Sequence, residues 1–130
     1  KTSSPITFSS GSYRLGSEDR SVVDSLASIL KNNPNLEVIV EGHTDDQTVV
    51  AGSYLQDNWN LSAQRALQVT RELVEAGVSP DQLSAAGRGE YLPMMEDQST
   101  ADARATNRRV VFKIAPKMGD LYDISKDMQN

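Results

Sequence analysis

Asp45 and Arg65 are the first residues of this chain to invite chemistry: a carboxylate and a planar, permanent cation at the two ends of one stretch, Gly42 to Ala66. A strand feeds that stretch and a helix leaves it. Ligands collect at such junctions because the first backbone N–H groups of a helix are unpaired and attract anions. A guanidinium suits a carboxylate for a related reason, donating two parallel N–H bonds. Spacing alone leaves open whether the two side chains grip a ligand or simply pair with each other.

Other groups in the stretch suggest other chemistries. His43, the only histidine, lies near Asp45, Asp46 and Asp57, but a zinc site wants three or four ligands at defined geometry. The plainer reading of His43 is a strand-end side chain bonded to backbone. Ser62 with His43 and Asp45 has the composition of a nucleophilic triad, yet Ser62 falls inside a helix with no nucleophile elbow, so packing is its expected role. Asn58 is expected to cap that helix and, facing the loop, to reach a ligand as well. Arg108 and Arg109 alternate along a strand, so only one of them can face the same site. Trp59 is expected in the core or at its rim, with sugar stacking as a minor alternative.

The elements that position these residues follow from periodicity. Leu36, Val38 and Val40 alternate with Glu37, Ile39 and Glu41, a strand with one apolar face. Trp59, Ala63, Ala66, Val69 and Leu73 recur at helical steps, with Arg65 at the border of the stripe, and Gly77 and Pro80 end that helix. An earlier helix is expected to start at Ser17 as N-cap, to bury Val22, Val23, Leu26, Ile29 and Leu30, and to stop at Asn32-Asn33-Pro34 with a left-handed Asn. Short strands are expected over 6–8 and 83–86, a short helix capped by Ser99 or Thr100 and closed by Asn107, and a last strand with Val110, Phe112 and Ile114 on one face. The order β-α-β-α-β-(α)-β packs as an α+β two-layer sandwich, with two helices on one face of a four-stranded sheet. Glu37, Glu41, Arg109 and Lys113 should leave its other face solvated. Residues 1–116 make the domain, and 117–130 read as a polar tail.

Composition narrows the partners. At 130 residues the chain is one domain's worth, and it has no cysteine; thiol catalysis and zinc–thiolate sites are excluded and no cofactor is expected. A net charge of −5 and a pI near 4.8 argue against nucleic acid, whose binding needs clustered Lys and Arg. No apolar run reaches the roughly 20 residues that span a bilayer. Lys1 in place of Met points to a fragment or a processed chain, with any membrane anchor outside it.

Five blocks then occur in order: Gly42-His43-Thr44-Asp45, Asn58-x-x-Leu61-Ser62-x-x-Arg65-Ala66, Gly77-Val78, Gly87-x-Gly89-Glu90-x-x-Pro93 and Asn107-Arg108-Arg109-Val110. From about Phe8 to Ile114 the chain resembles the OmpA-like family, the peptidoglycan-binding domain shared by outer-membrane protein A, the peptidoglycan-associated lipoprotein and the flagellar stator protein MotB. The resemblance implies a non-catalytic domain that grips the stem peptide of the cell wall through diaminopimelate, on a sheet of order 1-4-2-3 whose last strand is antiparallel. It implies the periplasm of a Gram-negative cell, at the outer membrane or, for a stator protein, the inner one, and leaves a dimer open. Diaminopimelate carries an ammonium and a carboxylate on one carbon, which Asp45 and Arg65 would complement. Thr44, Asn58, Arg108 and Ser9 would join them, with Gly42 bare so that backbone can approach the ligand. Many family members carry an acid where this chain has Ser9, so a contact there would use backbone or hydroxyl. The longer 46–57 loop and Asn58-Trp59-x-Leu61-Ser62-Ala63 look more like the stator branch. A metal-dependent hydrolase built on His43, Asp45 and Asp46, and a protein-interaction domain that no longer binds the wall, are the competing readings.

Overall fold

Alternation builds the central strand, β2 (Leu36–Gly42), whose Val38 and Val40 are buried. A computed structural model describes residues 6–49 and 55–117. Around β2 the described chain runs β1 (Ile6–Thr7), α1 (Asp19–Lys31), β2, α2 (Asn58–Glu75), β3 (Leu83–Gly87), α3 (Ala101–Asn107) and β4 (Arg109–Pro116). The sheet order is β1-β4-β2-β3. β4 is antiparallel to both β1 and β2, and β2 is parallel to β3. The expected order, direction and α+β class all hold. Of the expected tail only Lys117 is described; it donates its backbone N–H to Asn35 O (2.6 Å) and its ammonium to Asp81 (3.0 Å).

One face of the sheet and two helices make the core. Ile6, Val38, Val40 and Val110 meet Val23, Leu26, Ala27 and Leu30 of α1 and Ala66, Val69 and Leu73 of α2. Each valine, leucine or isoleucine side chain so removed from water contributes about 1.5–3 kcal/mol, so this layer dominates stability. The helix ends are specified locally. The Asp57 carboxylate accepts Asn60 N–H (2.8 Å) at the start of α2, Gly77 takes the left-handed position after it (φ +103°), and Thr100 caps α3 through Ala103 N–H (3.1 Å).

Several expectations are corrected. Glu18, not Ser17, precedes α1, and it makes no side-chain cap; Asp19 instead accepts Gly16 N–H at 2.8 Å. Ile29 is exposed, and Ala27 fills the core in its place. Asn32 is right-handed (φ −85°), so Pro34, which disfavours helix in the residue before it, is the stop signal that operates. Asn58 is the first residue of α2 rather than its cap, because Asp57 holds that position. Trp59 lies outside the core. Glu41 and Arg109 are buried: Arg109 donates to Leu92 O (3.0 Å), and Asn107 binds the backbone of Met94 and Met95, so the segment after β3 covers the sheet's far face at this end.

The carboxyl ends of β2 and β3 carry α2 at very short range. A Cβ on Gly42 would run into the carbonyl oxygen of Ser62, and one on Gly87 would lie 2.7 Å from both Ala63 N and Ser62 Oγ. Small residues on the helix, Ser62, Ala63 and Ala66, match the two bare strand positions. Gly42 is therefore bare for the helix backbone, not for a ligand. Gly42→Ala is expected to destabilise the fold by about 1–3 kcal/mol through overpacking against main chain that cannot yield. Urea denaturation reads this directly, and a wild-type midpoint would refute the contact.

Candidate functional site

Because α2 presses on the strand ends, Arg65 is driven inward. Its guanidinium is fully buried and is bonded entirely to main-chain carbonyls: Nε to Ser12 O (2.8 Å), Nη1 to His43 O (3.0 Å) and Nη2 to Ser9 O (3.1 Å). The Phe8 ring lies 5.2 Å from its Cζ. Burial pushes its pKa down to about 10, with Arg108 adding to the effect and Asp45 opposing it. Arg65 is thus still a cation at neutral pH, and it fastens the segment after β1 to the end of β2.

Asp45 pairs with Arg108 rather than with Arg65. Arg108 Nη1 donates to Asp45 Oδ2 at 2.8 Å, Arg108 Nε donates to Phe8 O at 2.8 Å, and Asp45 Oδ1 accepts Gln47 N–H at 3.1 Å. Thr44 is buried and buttresses the turn, its hydroxyl donating to Asp45 O (2.9 Å) and its N–H to Gly89 O (2.9 Å). Asn58 Nδ2 reaches Asp45 O (3.4 Å), Gln47 O (2.9 Å) and Glu90 Oε1 (3.1 Å).

Asp45, Arg108, Arg65 and the Ser9 carbonyl therefore converge, with Thr44 and Asn58 supporting them and Gly42 committed to α2. Two guanidiniums face one carboxylate, and the cluster keeps an excess positive charge that favours an anionic group. The start of α2 adds less than expected to that anion site, because the Asp57 carboxylate already occupies it. Of the two adjacent arginines, Arg108 faces the site and Arg109 the opposite side.

His43 belongs to a second cluster, which pattern reading missed. Its Nε2 donates to Glu41 Oε1 (3.0 Å), and Lys113 Nζ approaches Glu41 Oε2 (3.2 Å). The ring is thus tied to Glu41, on the far side of the sheet, and does not join Asp45 and Asp46. Burial, and after it Arg109, pushes the His43 pKa down to about 4 against the pull of Glu41. For Glu41 burial works upward, but hydrogen bonds from Lys113 and His43 outweigh it and the pKa falls. Ser62 Oγ donates to Trp59 O (2.9 Å) and accepts Gly89 N–H (2.9 Å), the packing role expected of it.

The sequence matches the model of the OmpA family over residues 7–108. It is 35% identical to Motility protein B of Bacillus subtilis over 113 residues, 86% of this chain and 42% of that protein. It is 36% identical to the peptidoglycan-binding protein ArfA of Mycobacterium tuberculosis over 109 residues, 84% of this chain and 32% of that one. The structure superposes on the C-terminal domain of Helicobacter pylori MotB with a TM-score of 0.81 at 26% identity, covering 98% of this chain and 94% of the other. The chain thus spans less than half the length of these two sequence relatives.

Two outcomes follow from the buried charges. Arg65, expected at the border of the stripe, is fully buried, and Arg65→Ala strands three carbonyls and opens a cavity: the variant should lose on the order of 3 kcal/mol or more, read by urea denaturation. A cost under about 0.5 kcal/mol would mean that the three carbonyls find other donors. His43 supplies the second outcome. Its folded pKa of about 4 lies below the ordinary 6.5, so the unfolded chain binds the proton first; stability is full above about pH 6.5 and falls on the order of 3 kcal/mol as pH drops towards 4. Glu41, also lowered, adds its loss only below its ordinary 4.5. His43 being the sole histidine, His43→Gln should flatten the curve between pH 6.5 and 5, and an unchanged slope there would contradict the assignment.

Proposed function

The chain belongs to the OmpA family, and from that membership and the charge cluster we propose that it binds peptidoglycan non-covalently through the diaminopimelate of the stem peptide. The observation that carries this reading is the imbalance of two guanidiniums, Arg65 and Arg108, around the single carboxylate of Asp45. A zwitterionic carbon fits it: the ammonium sits on Asp45, which has accepting capacity left, and the carboxylate on Arg108. Among the described residues Arg108 bonds through Nε and Nη1, which leaves Nη2 for a ligand carboxylate. Arg65 contributes its field and holds the Ser9 and His43 carbonyls in place. Ser9 takes part through backbone, and Thr44 and Asn58 keep the turn in shape.

The function is retention, not turnover. A hydrolase would need His43 with Asp45 and Asp46, and His43 is instead bonded to Glu41. The stator-like stretch Asn58–Ala63 and the likeness to Motility protein B support a periplasmic position at the inner membrane.

Isothermal titration with a diaminopimelate stem peptide tests the site. Asp45→Asn and Arg108→Lys should each cost on the order of 2–5 kcal/mol of binding, roughly thirtyfold or more; the lysine keeps the charge but loses the fork. A stem peptide with lysine in place of diaminopimelate lacks the carboxylate and should bind as weakly. Full affinity in both variants, or equal affinity for the two peptides, would reject the site, and wild-type protein that fails to sediment with sacculi would favour a protein-interaction domain.

A further inference from the structure

Trp59 and Tyr91 stand out because they are large, aromatic and turned outward together. They are 53% and 62% exposed, with ring centroids 5.2 Å apart and planes inclined by 31°. Single exposed apolar residues need no explanation, but a pair beside a groove does. The pair is also fixed. A Cβ on Gly89 would lie 3.1 Å from the Tyr91 ring and 3.5 Å from Trp59, so both rings rest on the Gly89 backbone. That backbone is itself held by Ser62 Oγ and Thr44 N–H.

The rings border an open groove of about 180 Å³ that is mostly apolar and is also lined by Thr48 and Val49, with Gln56, Asp57, Asn58 and Glu90 bringing polar groups to it. The volume is below the roughly 300–1,000 Å³ of sites that enclose drug-sized ligands and suits a single ring. At its inner wall the buried Asn58 Oδ1 has no hydrogen-bond partner among the described residues, an acceptor suited to an amide or hydroxyl donor. The carboxylates of Asp57 and Glu90 accept hydroxyls and repel anions. An apolar face beside acceptors is the complement of a neutral sugar, with C–H groups on one side of its ring and hydroxyls around the edge.

We propose that Trp59 and Tyr91 form a stacking shelf for a pyranose of the wall's N-acetylated glycan, next to the stem-peptide site. The proposal rests on the reading of the Asp45 site and extends it. Asn58 joins the two, lining the groove while its amide bonds Asp45 O and Glu90. Stem and glycan are covalently linked in the wall, so engaging one raises the local concentration of the other, and affinity for whole wall exceeds that for either piece.

Trp59 is the chain's only tryptophan, so its fluorescence reports the shelf alone. Titration of the 130-residue chain with tetra-N-acetylchitotetraose, which has no peptide, should give a saturable change. Tyr91→Ala should weaken that response roughly tenfold, while Asp45→Asn should preserve it. Trp59→Ala and Tyr91→Ala should sediment with sacculi roughly tenfold less well, yet bind stem peptide like wild type. A flat fluorescence titration, together with wild-type sedimentation of Trp59→Ala, would overturn the proposal. So would an emission change produced by stem peptide and not by sugar, which would make the shelf a peptide subsite. A saturable sugar response in protein that ignores stem peptide would uphold the shelf and reject the reading of the Asp45 site instead.

Discussion

The constraint on which the structure turns is the burial of one guanidinium. Among the described residues Arg65 has no side-chain acceptor; Ser9, Ser12 and His43 offer it carbonyls from segments far apart in sequence. Taking a cation out of water costs several kcal/mol, and the cost is met only when the surrounding dipoles are already in place. Those dipoles are in place because α2 lies against Gly42 and Gly87, which lowers Arg65 to the level of the strand ends. Helix packing, loop conformation and the charge of the site are thus one arrangement, and Asp45 is left to pair with Arg108.

Much of this architecture was legible in the residues. Alternation marked β2 and β4, Gly77 and Thr100 marked helix ends, and the ordered blocks led to the sheet order observed. The misreadings share a cause: periodicity counts polarity along one element and says nothing of what another segment brings to it. Arg65 read as a border residue because a stripe pattern has no symbol for three carbonyls arriving from elsewhere. Glu41 and Arg109 read as solvated because alternation gives the face but not the segment held over it by Asn107. Gly42 was rightly singled out as a place of close approach, but a glycine does not say which neighbour approaches. Within the site, the motifs singled out both Asp45 and Arg108, which meet at 2.8 Å, while the choice of Arg108 over Arg65 as partner of Asp45 depended on depth, which spacing along a chain does not encode.

The two faces of the sheet at this end divide the labour. On the helix side a cluster with excess positive charge is partly open to solvent through Arg108. On the far side Glu41 accepts hydrogen bonds from His43 and from the half-exposed Lys113, with Arg109 nearby, and the histidine is neutral at ordinary pH. These bonds stabilise the end of β2 from beneath, so acid that protonates His43 weakens the fold at the strand end that carries the site.

β1 is two residues long, and it adjoins β4 through Ile6 and Val110 and through Thr7 and Arg109. The carbonyls that follow it, on Phe8 and Ser9, are gripped by Arg108 and Arg65. Mechanically this is a hitch. Tension arriving along the chain from the amino-terminal side loads β1 in shear against its antiparallel neighbour, then passes through two guanidiniums into β4 and α2. The load path runs through Arg108, the side chain proposed to take the wall's carboxylate, and through Arg65 beside it, so a tug on the chain reaches the site directly.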